Sequence, residues 1–228
     1  MAELPAPPWA RAPQRLPRRR REPLTQEAIV DAALAVLDAD GLDLLSMRHV
    51  ARTLDTTAAA LYWHVGSKDG LLDLIFDRVI GEQPVPDPDP SRWQEQIREV
   101  ARTMRRTILG HRDIVRLSIG RIPMGPSALR YADRVLAILR AGRLSDEHAV
   151  AGLQLLFSVV MGFTMDETGE PLAGEPAGAM VGGYLASLPA DQFPHLVAVA
   201  GHMGEGNTDR RFELLLDFFV DGLAQRAG

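Results

Sequence analysis

The sequence predicts an all-α protein with a small N-terminal domain and a larger C-terminal domain. Apolar residues recur at helical spacing along most of the chain from residue 25 onward, and Ser or Thr stands where helix N-caps are expected. No stretch shows the convincing alternation of polar and apolar residues that marks a strand. The proline-rich segment 84–90 divides the two regions, because each proline removes a backbone donor and disfavours helix in the preceding residue.

Four helices are predicted for the first domain, residues 24–83. Thr25 caps a first helix, which Gly41 ends because glycine readily adopts the left-handed conformation found just beyond helix termini. Ser46 caps a short second helix, residues Thr57–Val65 form a short third, and Ser67 caps a fourth. The first three are predicted to form a helix-turn-helix unit.

The second domain, residues 91–228, is also predicted to be helical. Its first helix follows Ser91 and Gln94, which have the spacing of a capping box. Further helices are expected near residues 112–119, 126–141, 145–167, 191–202 and 209–225, and a loop at 168–178.

Composition excludes several kinds of site. The 228-residue chain has no cysteine, which excludes disulfides, thiolate metal sites and cysteine nucleophiles. Its six histidines form no i, i+4 pair and no catalytic constellation stands out, so we expect no metal, no cofactor and no enzyme. The apolar run at 149–163 is shorter than a membrane span, and the N-terminus lacks the apolar core of a secretory signal. We therefore expect a cytoplasmic protein without a membrane partner.

Charge is unevenly distributed along the chain. Residues 1–23 contain six prolines and six arginines, a composition typical of a flexible basic arm. Within it, Arg18–Arg21 could contact a polyanion or serve only as a solubilising tail. Residues 25–81 carry nine acidic and four basic side chains.

The short third helix has the features of a DNA recognition helix. Small residues at its start, Ala58–Ala60, would let the backbone approach base edges in a major groove. Tyr62 and His64 could then donate hydrogen bonds to phosphates, and Lys68 would add positive charge beside the DNA backbone.

The stretch from Leu61 to Lys68, LYWHVGSK, carries a family resemblance. Residues 25–81 resemble the DNA-binding domain of the TetR family of repressors. Trp93-Gln94, Arg105-Arg106, His111-Arg112-Asp113 and 120–123 are similar in order and spacing to the ligand-binding domain of the tetracycline-repressor branch, up to about residue 168. The resemblance implies a homodimer that binds a palindromic double-stranded DNA operator and is released by a small-molecule effector.

The resemblance also implies a set of DNA contacts: Arg48, Thr57, Ala58, Ala60, Tyr62, Trp63, His64 and Lys68. Ala58 and Ala60 stand where the tetracycline repressor has glutamine and threonine, and alanine makes no bidentate base contact, so the operator should differ. Trp63 could instead pack between the third and fourth helices, and His64 could serve as a helix C-terminal cap.

A pocket wall in the second domain is predicted from its apolar faces and from the resemblance. It comprises Val100, Met104, Ile108, Leu117, Ser118, Arg121, Phe157, Met161 and Asp166. Val100, Met104 and Ser118 replace side chains that hold the magnesium–drug chelate in the tetracycline repressor. We therefore expect a larger apolar or aromatic effector and no response to magnesium–tetracycline.

Dimerisation is predicted through the apolar helix 145–167 and the last helix. The last helix is apolar over so much of its surface that both sides should be buried, as in a two-fold, four-helix interface. Two alternatives stay open. A small-molecule-binding protein of the same fold could have lost operator binding, as the acidic balance of residues 25–81 would suggest, or the protein could be an activator of the same architecture.

Overall fold

The structure, a computed structural model, describes residues 23–168, 177–203 and 207–228, and within these ranges it contains helices and no strand. The predicted all-α class is thus confirmed. The basic arm, with Arg18–Arg21, lies outside the described residues. The helices are α1 Gln26–Asp40, α2 Met47–Thr53, α3 Ala58–Val65, α4 Lys68–Gly81, α5 Trp93–Leu109, α6 Ile114–Ser118, α7 Pro126–Ala141, α8 Asp146–Thr168, α9 Ala177–Ala186, α10 Pro194–Met203 and α11 Thr208–Ala224.

Local side-chain caps start the four N-terminal helices. Thr25 Oγ1 accepts from the Ala28 amide at 3.1 Å, and Ser46 Oγ accepts from the His49 amide at 3.2 Å. Thr57 and Ser67 do the same for α3 and α4. Each cap satisfies a backbone donor that the first turn of a helix leaves without a partner. The caps predicted at Thr25, Ser46 and Ser67 are confirmed, whereas Thr57, predicted as the first residue of the third helix, is its cap.

Two features favour glycine at position 41, where α1 ends. Its φ is 84°, a conformation that costs glycine little. A Cβ at this position would also lie 2.9 Å from Asp113 Oδ2, on the loop before α6. The end of α1 is therefore a point of close approach between the N-terminal helices and the C-terminal domain.

The start of α5 differs from the prediction. Arg92, not Ser91, is the cap residue and it makes no side-chain cap, so the predicted capping box is wrong. The Ser91 amide and hydroxyl both donate to Asp89 Oδ1 instead. Gln96 holds the proline-rich segment, because its Nε2 donates to the Asp87 carbonyl at 2.6 Å and its Oε1 accepts from the Asp89 amide at 2.9 Å.

The helical hairpin of α9 and α10 was not fully predicted. Helix α9 falls partly in the predicted loop 168–178, of which residues 169–176 lie outside the described ranges. Helix α10 begins at Pro194, three residues later than expected. The two helices pack against each other and expose large apolar side chains, including Tyr184 and Met203.

Helix α8 is the central helix of the C-terminal bundle. It packs against α5, α6, α7 and α11 through a buried face that includes Leu156, Val160 and Thr164. At 23 residues it is long and apolar enough to cross a membrane by length and composition alone, so the expectation that this region is too short was wrong. Core helices of soluble proteins pass the same test.

A row of ion pairs fastens α5 to α11. Arg98 and Arg102, one turn apart on α5, pair with Asp217 and Glu213 of α11. The Arg102 guanidinium makes two hydrogen bonds to Glu213, at 2.9 and 2.7 Å. Such bidentate pairs hold both side chains in one geometry, which fixes the register of the two helices.

Arg105 extends this row to the end of α8. It is 13% exposed and makes two hydrogen bonds to Glu167, at 2.9 and 2.6 Å, and one to Asp209 at 2.8 Å. Its guanidinium also lies 4.8 Å from the centre of the Phe212 ring. One side chain thereby joins α5, α8 and α11 by charge and by cation–π contact.

Candidate DNA-binding surface and effector cavity

Helix α3 has one buried face and one exposed face. Leu61 is fully buried and Val65 is 8% exposed, and both lie in the core of the N-terminal helices. Trp63 is 88% exposed and Tyr62 is 47% exposed. The alternative prediction that Trp63 packs between α3 and α4 is therefore wrong, because the indole lies in solvent. An exposed tryptophan on a short helix beside a tight turn is typical of a surface that binds a partner.

The other predicted DNA contacts lie on or beside this surface. Arg48, Thr57 and Lys68 are exposed, whereas Ala58, Ala60 and His64 are half-buried. The His64 carbonyl accepts from Gln26 Nε2 at 3.2 Å, a bond that joins the end of α3 to the start of α1. Helix α3 is thus held at both ends, since Thr57 caps its start.

The acidic residues of the N-terminal helices turn largely toward the C-terminal domain. Five of the nine acidic side chains in 25–81 bond groups beyond residue 91, namely Asp38, Asp43, Asp69, Asp73 and Asp77. Much of the acidic balance of this region therefore reflects how the two domains are joined.

His111 lies at the centre of that domain interface. Its Nδ1 is 3.0 Å from Asp38 Oδ2 of α1, and its Nε2 is 3.0 Å from Glu82 Oε2 at the end of α4. Burial by itself lowers the pKa of His111, but the hydrogen bonds and charges of Glu82 and Asp38 outweigh it, so the pKa is raised. A protonated imidazole donates to both carboxylates and so stabilises the contact between the two domains.

Backbone hydrogen bonds complete the interface. The amide of Arg112 donates to Asp38 at 3.1 Å, and the amide of Leu42 donates to Asp113 at 2.9 Å. The Leu42 amide is the main reason why the pKa of Asp113 is lowered. Asp77 of α4 accepts from the Ser127 and Ala128 amides at the start of α7. Since Gly125 offers no side-chain cap, Asp77 supplies the cap of α7 from another helix.

Two polar residues predicted for the effector pocket serve other contacts. Arg121 donates to the Leu117 carbonyl and pairs with Asp69 and Asp73 of α4. Arg121 therefore joins the two domains, a role that no local sequence pattern predicts. Asp166 is exposed and lies 3.3 Å from Arg211 on the bundle surface. Neither side chain lines the apolar cavity between α4, α5, α7 and α8.

An apolar cavity of about 410 Å³ lies between α4, α5, α7 and α8. Its described lining is Ile80, Gln83, Met104, Ile122, Pro123, Met124, Ala128, Tyr131, Ala132, Leu153, Gln154, Leu156, Phe157 and Ser158. Of the predicted wall residues, Met104 and Phe157 line this cavity.

The remaining predicted wall residues lie elsewhere. Val100, Leu117 and Met161 are buried core side chains, because the apolar faces of α5, α6 and α8 continue past the cavity. Ile108 lines a separate cavity near residues 111–116. The Ser118 hydroxyl donates to the Val115 carbonyl of its own helix.

Most of the cavity lining, including Gln83 and Tyr131, was not predicted from the sequence. A signal for both was present in the helical spacing. Tyr131 shares a face of α7 with Ala128 and Val135, and Gln83 follows Val79 by one helical turn. A polar residue on an otherwise buried stripe needs a polar partner, and that need marks it as a candidate site residue.

Comparison with known families identifies the chain. Residues 29–75 match the family of bacterial regulatory proteins named tetR, and residues 85–227 match the tetracyclin repressor-like C-terminal domain. The chain belongs to the TetR family. Within this family, the exposed helix α3 is the second helix of the helix-turn-helix, and the chain is a ligand-responsive transcriptional regulator.

Curated relatives cover most of this TetR-family chain. An HTH-type transcriptional regulator from Saccharopolyspora erythraea is 33% identical over 215 residues, which span 92% of this chain and 89% of the relative. Tetracycline repressor protein class A from Escherichia coli is 32% identical over 207 residues, 89% of this chain and 92% of the repressor. These relatives are regulators of transcription and not enzymes.

Solved structures extend the comparison. ActR from Streptomyces coelicolor, in its apo form, is 46% identical, with a TM-score of 0.85, over 91% of this chain and 98% of ActR. The complex of ActR with actinorhodin is 45% identical, with a TM-score of 0.85, over 91% of this chain and 100% of that one. ActR has also been solved in complex with (S)-DNPA.

Proposed function

We propose that this protein is a cytoplasmic transcriptional repressor, without enzymatic activity, that binds a palindromic operator as a homodimer and is released by a small effector. The proposal of DNA binding rests on the exposure of Trp63 and Tyr62 on a helix whose opposite face is buried. Arg48 and Lys68 flank that surface and supply the positive charge that phosphate contacts need.

The effector is proposed to be largely apolar or aromatic and to bind in the cavity between α4 and α8. The described polar groups of the lining are amides and hydroxyls, which suit an organic ligand better than a magnesium chelate. The ActR complexes support actinorhodin and (S)-DNPA as the first compounds to test. We expect no response to magnesium–tetracycline.

The homodimer is proposed to form through α8 and α11. Within one chain each helix buries one face and exposes a second apolar face, with Leu155 at 53% exposed on α8 and Phe218 at 71% on α11. Paired by a two-fold axis, the four helices would cover both exposed faces.

A mobility-shift assay with DNA flanking the gene tests the proposal. The wild-type protein should bind one fragment with an affinity that falls steeply with salt, and adding actinorhodin should release it. Magnesium–tetracycline is the matched control ligand and should leave the complex intact. Absence of salt-dependent binding to any genomic fragment would refute operator binding.

The alternative of a small-molecule-binding protein without operator binding loses its main support, because the acidic side chains that suggested it bond the C-terminal domain. An activator of the same architecture would bind the same fragment. A reporter gene behind that fragment distinguishes the two, since a repressor lowers expression and an activator raises it.

A further inference from the structure

Two buried polar atoms in the effector cavity have no hydrogen-bond partner among the described residues. They are Gln83 Oε1 and the Tyr131 hydroxyl oxygen. Gln83 is 8% exposed, and the Tyr131 hydroxyl oxygen is buried although the residue as a whole is half-buried. Both residues line the same cavity, from α7 and from the residues just after α4.

An unpaired buried polar atom is costly, so native proteins leave few of them. Two in one apolar cavity indicate that their partners come from the molecule that fills it. A ligand that hydrogen-bonds both atoms would supply the missing partners.

The chemistry of the two groups defines what the ligand must offer. An amide oxygen accepts, so Gln83 Oε1 requires a donor such as a hydroxyl. Burial raises the pKa of Tyr131, so its hydroxyl stays protonated and donates to a carbonyl or hydroxyl oxygen. The other polar lining groups, Gln154 and Ser158, are also neutral.

We propose that Gln83 and Tyr131 are the groups that recognise the effector, and that the effector is a hydroxylated aromatic with a hydroxyl directed at Gln83 Oε1 and a carbonyl or hydroxyl oxygen directed at the Tyr131 hydroxyl. This inference rests on the proposed function, since it assumes that the cavity is the effector site. A ligand held by both residues also joins the end of α4 to α7, the pair of helices that Asp77 already connects.

Two variants that preserve shape test the inference. Tyr131→Phe and Gln83→Leu remove the polar atoms and keep the apolar wall. Each should weaken actinorhodin binding, measured by calorimetry, about five- to tenfold. The free variants should melt at or above the wild-type temperature, because an unpaired polar atom has been removed. Ser118→Ala is the control, since its hydroxyl lies outside the cavity and donates to the Val115 carbonyl, and it should bind as the wild type does.

A pair of small probes separates this inference from the proposed function. Wild-type protein should bind 2-naphthol at least about fivefold more tightly than naphthalene, and the Gln83→Leu, Tyr131→Phe double variant should lose that preference.

Each outcome decides one of the two proposals. If the wild type binds actinorhodin and both variants bind it equally well, the recognition role is overturned while the effector site stands. If actinorhodin fails to bind, the naphthol preference still decides the role of Gln83 and Tyr131. If none of the probes binds, the cavity is not a small-molecule site, and both proposals fail.

Discussion

Trp63 and Leu61 are two positions apart on α3 and occupy opposite environments, which gives a matched pair of substitutions. Trp63→Ala removes an 88% exposed side chain, so it should leave the free energy of unfolding nearly unchanged while weakening operator binding at least tenfold. Leu61→Ala should cost about 3 kcal/mol of stability, because it opens a cavity in the core. Chemical denaturation and mobility shift measure both. Full operator affinity in Trp63→Ala would exclude the indole from the DNA interface.

His111 predicts a pH dependence of stability. Its pKa is raised in the folded protein, so the interface with Asp38 and Glu82 contributes fully below the unfolded pKa, near 6.5. That contribution should be lost as pH rises through the higher folded value.

The comparison of wild type with His111→Gln measures this effect. The wild type should be the more stable of the two in mildly acidic buffer, and the difference should shrink as pH rises above 6.5. Denaturant titrations at several pH values give the difference directly. A stability difference that is constant across this range would show that the imidazole acts only by shape.

Buried core residues were easier to predict from the sequence than the residues of the DNA-binding surface and the cavity. Leu61 was predicted as core from helical spacing, and it is fully buried. Exposure of Trp63 was left open, because spacing places a residue on a face without saying whether another helix covers it. Tyr131 was missed although helical spacing places it on the buried face of α7; only the fold shows that its hydroxyl has no described partner.

Among the helices, α7 depends on a cap that comes from α4. Asp77→Ala should destabilise the protein by about 1 kcal/mol, because two amides at the start of α7 lose their acceptor. Asp77→Asn retains one acceptor oxygen and should keep most of that stability. Thermal unfolding of the three proteins makes the comparison. Equal melting temperatures for Asp77→Ala and wild type would show that water replaces the carboxylate.

Helix boundaries could be predicted where the capping residue is adjacent in sequence. Thr25 and Ser46 cap amides three residues ahead, so their helices start where expected. Asp77 caps amides 50 and 51 residues away, a relation that only the fold creates. The Ser91 prediction failed because the neighbouring Asp89 competes for the serine amide and hydroxyl.

For the whole molecule, the exposed faces of α8 and α11 predict a change in assembly state. Phe218→Glu places a charge on the proposed two-fold interface and should give a monomer in sedimentation at micromolar concentration, with loss of operator binding. Phe218→Leu keeps an apolar side chain and should remain dimeric. A wild-type protein that sediments as a monomer would refute the proposed dimer.

The contacts that join the two domains rely heavily on main-chain atoms. The amides of Leu42, Arg112, Ser127 and Ala128 and the Ala39 carbonyl all take part. Any residue except proline presents an amide, so these joints tolerate sequence change on one side as long as the carboxylates of Asp38, Asp77 and Asp113 remain on the other. The N-terminal unit is therefore suited to exchange between relatives. We expect that a chimera can carry a foreign recognition helix if it keeps these three carboxylates. It should bind a new promoter and still be released by the original effector, so that a reporter gene behind that promoter responds to the effector. Keeping the three carboxylates is therefore a design rule for modular biosensors.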